Sequence, residues 1–274
     1  MARLDARVAV VTGAATGLGR ACALALASAG ASVVVNQVPF TTTSGPGGTV
    51  RAIRAHGGRA LSSIHAVTDL ASIRRVVAET LGAFGRLDIW VNTLALDPGR
   101  PLLDWTDAES ERQVGGELRS VVLCTREALR TMRDTATTGR IIQLGTLPAE
   151  SGAATPAVTA PAAYGALVGF IGTAAAEAKA FGVTCNAVLP LVRPRGAGDY
   201  FASETASDIE PPAAAEAVVF LASDAGADVT GETFHIGRDE VALHRAGVGP
   251  AVKSRRARWT VDELAQRMGE LRGA

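Results

Sequence analysis

The chain has 274 residues and carries 27 Lys and Arg against 27 Asp and Glu, so its formal net charge is zero. That balance offers no positive field to concentrate a polyanion, which argues against nucleic acid and anionic membrane as partners. One large α/β domain of this length buries a core without disulfides or metals, and with aromatics at 4% the core has to come from Ala, Val, Leu and Ile.

Short β-branched runs alternate with longer alanine- and leucine-rich segments. In chain order the pattern predicts strand 8–11, helix 18–29, strand 32–35, helices 49–56 and 72–84, strand 89–91, helix 107–133, strand 141–144, helix 164–181 and strand 183–188. Strands this apolar are buried on both faces, which means a parallel sheet covered by helices. Repeated βαβ units make one doubly wound, Rossmann-like α/β domain. Gly30, Gly57, Gly82, Gly139 and Gly182 are expected near helix ends, where positive φ is wanted. The polar stretches 37–48 and 193–212 are candidate site-lining loops. Cys22, Cys124 and Cys185 are scattered and form no metal-ligand spacing, nor do His65, His235 and His244. A reducing, cytoplasmic compartment and no metal are therefore expected, and no run is long enough for a membrane span.

The run TGAATGLG, residues 12–19, follows the first strand and opens the first helix. In that context Thr12, Gly13, Thr16, Gly17, Leu18 and Gly19 let the backbone turn sharply and approach a pyrophosphate at a positive helix N-terminus. The TGxxxGxG spacing resembles the short-chain dehydrogenase/reductase (SDR) family. The resemblance continues through LDIWVN (87–92), GRIIQLGT (139–146), FGVTCNAVLP (181–190), VVFLASD (218–224) and TGETFHIG (230–237). It implies an SDR-type domain over residues 1–247 and a tail, 248–274, with a short helix at 260–268 opened by Thr260 and Glu263 as a capping box. The tail and the long loop after the second strand are similar to the hydroxyacyl-CoA dehydrogenase branch, which implies acyl or polyketide-like substrates. The basic cluster KSRRAR, 253–258, is a candidate for the phosphates of coenzyme A or an acyl carrier.

At the site the chain departs from that family. The ribose-binding acid at the end of the second strand is replaced by Asn36 and Gln37, and a neutral Gln37 can still bond a hydroxyl. Ala66 stands for the acid that faces adenine. Asn92, Thr93, Leu94 and Ala95 replace the Asn-Asn-Ala-Gly turn, and Leu191 replaces the glycine beside the nicotinamide. NAD(P) binding is therefore expected to be weak or absent. The resemblance places Thr146 at the substrate-orienting Ser. Counting back from Gly182 without gaps puts Ala160 at the proton-donating Tyr and Tyr164 at the Lys. A register shifted by one turn would make Tyr164 the Tyr, with Val168 at the Lys; it needs an insertion and a compensating deletion. Neither register contains a Tyr/Lys pair. Glu117 falls where the family has an Asn that holds a catalytic water, and a carboxylate in a buried helix can act as acid or base.

Tyr164, Thr146 and Glu117 are thus the candidate catalytic residues. They point first to redox-neutral acid/base chemistry, dehydration or cyclisation, or to a partner subunit of an active SDR. The alternative is an NAD(P)-dependent ketoreductase or hydroxyacyl dehydrogenase with an atypical site. Association as a homodimer or homotetramer, or as a heterodimer with another SDR, is expected through the helices over 107–133 and ending at Phe181.

Overall fold

The computed structural model describes residues 4–37, 45–93, 102–111, 118–145, 159–190, 211–236 and 241–244. Its strands are Val8–Val11 (β1), Ser32–Asn36 (β2), Ala60–Ser63 (β3), Ile89–Thr93 (β4), Arg140–Leu144 (β5), Thr184–Pro190 (β6), Thr233–Ile236 (β7) and Val241–Leu243 (β8). Its helices are Gly17–Ser28 (α1), Gly47–Ala55 (α2), Leu70–Phe84 (α3), Asp107–Ser110 (α4), Leu118–Asp134 (α5), Thr159–Ala178 (α6) and Pro211–Ala222 (α7). One eight-stranded sheet runs in the order β3-β2-β1-β4-β5-β6-β7-β8. β1 to β7 pair in parallel and β8 adds to β7 antiparallel. This is the doubly wound Rossmann-like sheet the apolar runs predict.

Alternate strand residues feed two cores, because side chains switch faces at every step. Ala9, Val11, Val33, Val35, Ile89 and Val91 pack with Cys22 and Leu26 of α1 and Val218 and Leu221 of α7. Val10, Val34, Trp90, Ile141 and Cys185 meet Ile73 of α3, Cys124 and Met132 of α5 and Ala178 of α6 on the other side. With both faces covered, the strands show no polar alternation.

Some boundaries differ from the sequence reading. Gly82 lies inside α3, which stops instead at Gly85 with φ +78°. Asp69 opens that helix by accepting the Ser72 N–H at 2.9 Å. Gly139 is needed for space, since a Cβ there would stand 2.9 Å from Met132 Cε. The segment read as one helix over 107–133 contains α4 and α5, with 112–117 outside the described residues. β3 and β8 were not among the apolar runs: β3 is ALSS, and all three residues of β8 are exposed. The chain divides into units Met1–Leu243 and His244–Ala274, and the tail helix read at 260–268 lies outside the described residues. No described helix is long and apolar enough to cross a membrane.

At the amino-terminal edge of the sheet one carboxylate joins two strands. Asp88, with no exposed surface, accepts the Val8 N–H at 2.9 Å and a forked pair from Arg86 at 2.8 and 2.6 Å. Removing it strands a buried backbone donor while half-exposed Arg86 rehydrates. Asp88→Ala is therefore expected to lower unfolding stability by about 2–3 kcal/mol in urea titrations.

All three cysteines are free and buried, and burial pushes each thiol up to about 12. The ordinary value applies once the chain unfolds, so the unfolded state sheds thiol protons first. Stability from this source is complete below pH 9 and is lost as pH rises from there toward 12. In native protein at pH 8 a thiol reagent should label none of the three, and in denaturant all of them.

Candidate functional site

The sequence order of the strands reverses between β1 and β4: crossovers from β1 run one way to β2 and those from β4 the other way to β5. The carboxyl ends of β1 and β4 therefore border a crevice, the usual ligand position in such sheets. The turn after β1 crosses this crevice. Thr12 is its buried anchor: its N–H donates to the Val91 carbonyl at 3.0 Å, and its hydroxyl accepts the Thr93 N–H at 2.9 Å.

The three glycines divide the work. Gly13 and Gly17 take φ of +61° and +54°, which only glycine adopts without strain. A Cβ on Gly13 would sit 3.2 Å from Thr93 Cβ, whereas one on Gly17 would meet open space. Gly19 has ordinary φ, but its Cβ would lie 2.9 Å from the Gly13 carbonyl carbon and closer still to the oxygen. Gly19 thus lets α1 press on the turn, and Gly17 keeps the approach to the helix end clear. Thr16, the extended N-cap residue, is exposed and makes no side-chain cap, and Leu18 is half-buried against the core. The N–H groups of Gly17, Leu18 and Gly19 remain outside the helical ladder, a positive end able to take an anion.

The turn is clamped from the adjoining strand and helix. The Ala14 N–H donates to the Asn36 carbonyl at 3.0 Å, and buried Thr49 donates its hydroxyl to the Ala14 carbonyl at 2.9 Å. Asn36 spends its amide nitrogen on the His65 carbonyl at 2.9 Å. Gln37 is 8% exposed, and its Oε1 faces the Ala15 N–H at 3.5 Å. Both amides at the end of β2 are thus turned toward protein backbone.

Asn92 lies on the opposite face of the sheet from the turn. Its Oδ1 accepts the buried Trp90 Nε1–H at 2.7 Å, while its Nδ2 has no partner. Beside it in register is Gln143 of β5, which donates to Thr125 of α5 at 2.8 Å and leaves Oε1 unpaired. Buried polar atoms without protein partners are uncommon, and two side by side mark polar ground under the carboxyl ends of β4 and β5. Thr146 and Glu117 lie outside the described residues; Tyr164 falls within α6, with its side chain outside that description. The structure therefore joins Thr12, Gly13, Gly17, Gly19 and Gln37 in one cluster and places Asn92 apart from it. Sequence reasoning did not find Thr49, because its signal is a single hydroxyl inside a helix. Among the described residues no group of His, Cys, Asp or Glu could hold a metal.

A family model described as enoyl-(acyl carrier protein) reductase matches residues 13–238. The chain belongs to the short-chain dehydrogenase/reductase family. It is 32% identical over 244 residues to a 3-oxoacyl-[acyl-carrier-protein] reductase of Synechocystis, covering 86% of this chain and 97% of that one. A hydroxyacyl-CoA dehydrogenase of Mycobacterium tuberculosis is 33% identical over 259 residues, 88% of this chain and 80% of its own. A crystal structure of a short chain dehydrogenase from Mycobacterium avium superposes with a TM-score of 0.86 at 28% identity, covering 98% of this chain and 96% of that one.

The split of roles among this SDR chain's glycines has a measurable consequence. Gly19→Ala overpacks the turn and is expected to cost roughly 2–3 kcal/mol, while Gly17→Ala meets only backbone strain of roughly 1 kcal/mol. Parallel denaturant titrations of the two variants check the order.

Proposed function

We propose that this SDR chain is an NAD(P)-linked oxidoreductase acting on acyl or polyketide-like substrates, with an atypical proton donor. The observation that carries the reading is the uncapped amino end of α1, cleared by Gly17 at the β1/β4 crevice. The names of the relatives, a 3-oxoacyl-[acyl-carrier-protein] reductase and a hydroxyacyl-CoA dehydrogenase, support it over the redox-neutral reading. Gly17, Leu18 and Gly19 would hold the cofactor's pyrophosphate. The ribose end fits less well, because Asn36 and the Gln37 oxygen already serve the backbone. Affinity for NAD(P) is accordingly weak. When bound, a nicotinamide supplies or accepts the hydride.

The chain's own residues then manage the proton. Thr146 orients the substrate oxygen through its hydroxyl, and Tyr164 donates a proton to that oxygen as charge develops there. No Lys stands four residues after Tyr164 to assist the transfer, and Glu117 is the reserve acid. Without the usual acid a rate about 10²- to 10⁴-fold below that of an intact relative is expected. Three buried free thiols suit a reducing compartment, and we place the chain in the cytoplasm.

A second reading, a partner subunit of an active relative, draws on α6. The helix Thr159–Ala178 continues into a tight turn at Lys179–Phe181 and stops at Gly182 with φ +69°, which favours the gapless register with Ala160 and Tyr164 in place of the Tyr and Lys. Fluorescence titration with NADH and NADPH, followed by turnover of a 3-oxoacyl thioester, separates the two. Measurable binding with slow oxidation of the cofactor supports the oxidoreductase, and no binding at millimolar cofactor overturns it in favour of the subunit. If the register is gapless, Ala160→Tyr with Tyr164→Lys should raise turnover at least roughly tenfold, part of what a positioned acid contributes.

A further inference from the structure

Two buried hydrogen bonds under the carboxyl ends of β4 and β5 run in the same direction. On β4 the Trp90 Nε1–H donates to Asn92 Oδ1 at 2.7 Å. On β5 the Gln143 amide donates from Nε2 to the Thr125 hydroxyl of α5 at 2.8 Å. Asn92 and Gln143 are register partners in parallel strands, so their side chains leave the sheet on one face, the face that α5 covers. Trp90 and Gln143 have no exposed surface, and Asn92 and Thr125 are each 3% exposed. The atoms left without a partner are one donor, Asn92 Nδ2, and one acceptor, Gln143 Oε1.

Trp90 fixes which end of the Asn92 amide is left over. An indole N–H can only donate, so the amide oxygen has to be the atom that meets it and the nitrogen the atom that remains. Neither amide can turn to the other without giving up its present bond, and a buried polar group stripped of its bond costs at least what the new contact returns. Neighbouring strands stand about 4.8 Å apart, whereas a direct amide to amide bond brings nitrogen and oxygen to about 2.9 Å. A water bonded to both at about 2.8 Å, at its own tetrahedral angle, spans about 4.6 Å and so matches the strand spacing. A monatomic ion does not suit the pair, since the Gln143 oxygen repels an anion and the Asn92 N–H repels a cation.

We propose that a single water molecule is a fixed part of this protein between β4 and β5, accepting the Asn92 Nδ2–H and donating to Gln143 Oε1. With it the row runs from Trp90 through Asn92, the water and Gln143 to Thr125, each member donating to the next. Bonds aligned head to tail polarise and strengthen one another in a low-dielectric core. The row ties two strands, just below their last residues Thr93 and Leu144, to the middle of α5 through side chains alone. Two amides in a core otherwise built from residues such as Ile73, Val76, Ala128 and Ile141 are then accounted for, because both leftover atoms gain a partner. The assignment holds whichever chemistry the carboxyl ends of the strands perform.

A crystal structure of the full chain at about 1.5 Å, with no ligand added, tests this directly, since at that resolution an ordered water is seen although its hydrogens are not. One density peak should lie within about 3.2 Å of both Asn92 Nδ2 and Gln143 Oε1. Gln143→Met keeps the side-chain length and removes both polar atoms, so the peak should vanish in that variant. Magnetic relaxation dispersion of the water signal in solution should then count one fewer long-lived internal water than in wild type. If Gln143→Met loses its far-UV circular dichroism, the wild-type crystal decides alone. Three results would overturn the proposal: the two amides bonded directly to each other, no peak between them in wild type, or a peak that stays in place in Gln143→Met.

Discussion

The seam between β1 and β4 is the constraint on which the remaining architecture hangs. These strands are adjacent in space but separated in sequence by two βα units, so nothing local holds them together. Side chains secure both ends. Asp88 receives the Val8 N–H below, and the Thr12 hydroxyl receives the Thr93 N–H above. Because crossovers leave this seam in opposite directions, its carboxyl end is where the connections diverge, and among the described residues the glycine turn is carried across it. A slip of one residue here would exchange the two cores and move Thr12 away from Thr93.

The same turn shows how a family motif can keep its shape while its surroundings change. Its backbone is held by Asn36, Thr49 and Thr12, all supplied from within the chain. Backbone donors at the start of α1 do not depend on side-chain identity, so the turn keeps them whatever side chains surround it. At the end of β2, where the family resemblance implies a ribose-binding acid, Asn36 and Gln37 instead turn their amides toward protein backbone. An amide can both donate and accept, so Asn36 satisfies the His65 carbonyl while Gln37 faces the Ala15 N–H, whereas a carboxylate at the same place could only accept.

The two layers of helices meet different demands. α1 and α7 pack closely against one another through alanines and cover the core beneath β1 and β4. α3, α5 and α6 bury a more varied set that includes Trp90 and Met132, and two of them present unusual outward surfaces: arginine on α5 and glycine on α6. Charge on the first and smoothness on the second are costly in an isolated helix, since glycine lowers helix propensity by about 1 kcal/mol. Gly165, Gly169 and Gly172 share one exposed face of α6, where an added Cβ would meet open space among the described residues.

Much of the fold was legible from the order of residues. Doubly buried strands must be continuously apolar, and helices that cover them must repeat near 3.6, so β1, β2, β4, β5 and β6 were readable within a residue or two. The glycine turn was legible for the same reason: positive φ leaves a chemical signature. β3 and β8 carry little apolar pattern, because an edge position relaxes the demand for burial, and their pairing partners alone place them. Sequence named Gly13, Gly17 and Gly19 as one motif; the tertiary structure gave Gly19 the helix contact and Gly17 the open approach, since space around a residue depends on segments remote in the chain. It likewise sent Asn92 to the far face with Trp90 and brought Thr93 against Gly13, because successive residues of a strand point to opposite sides and the neighbouring strands decide what each side meets.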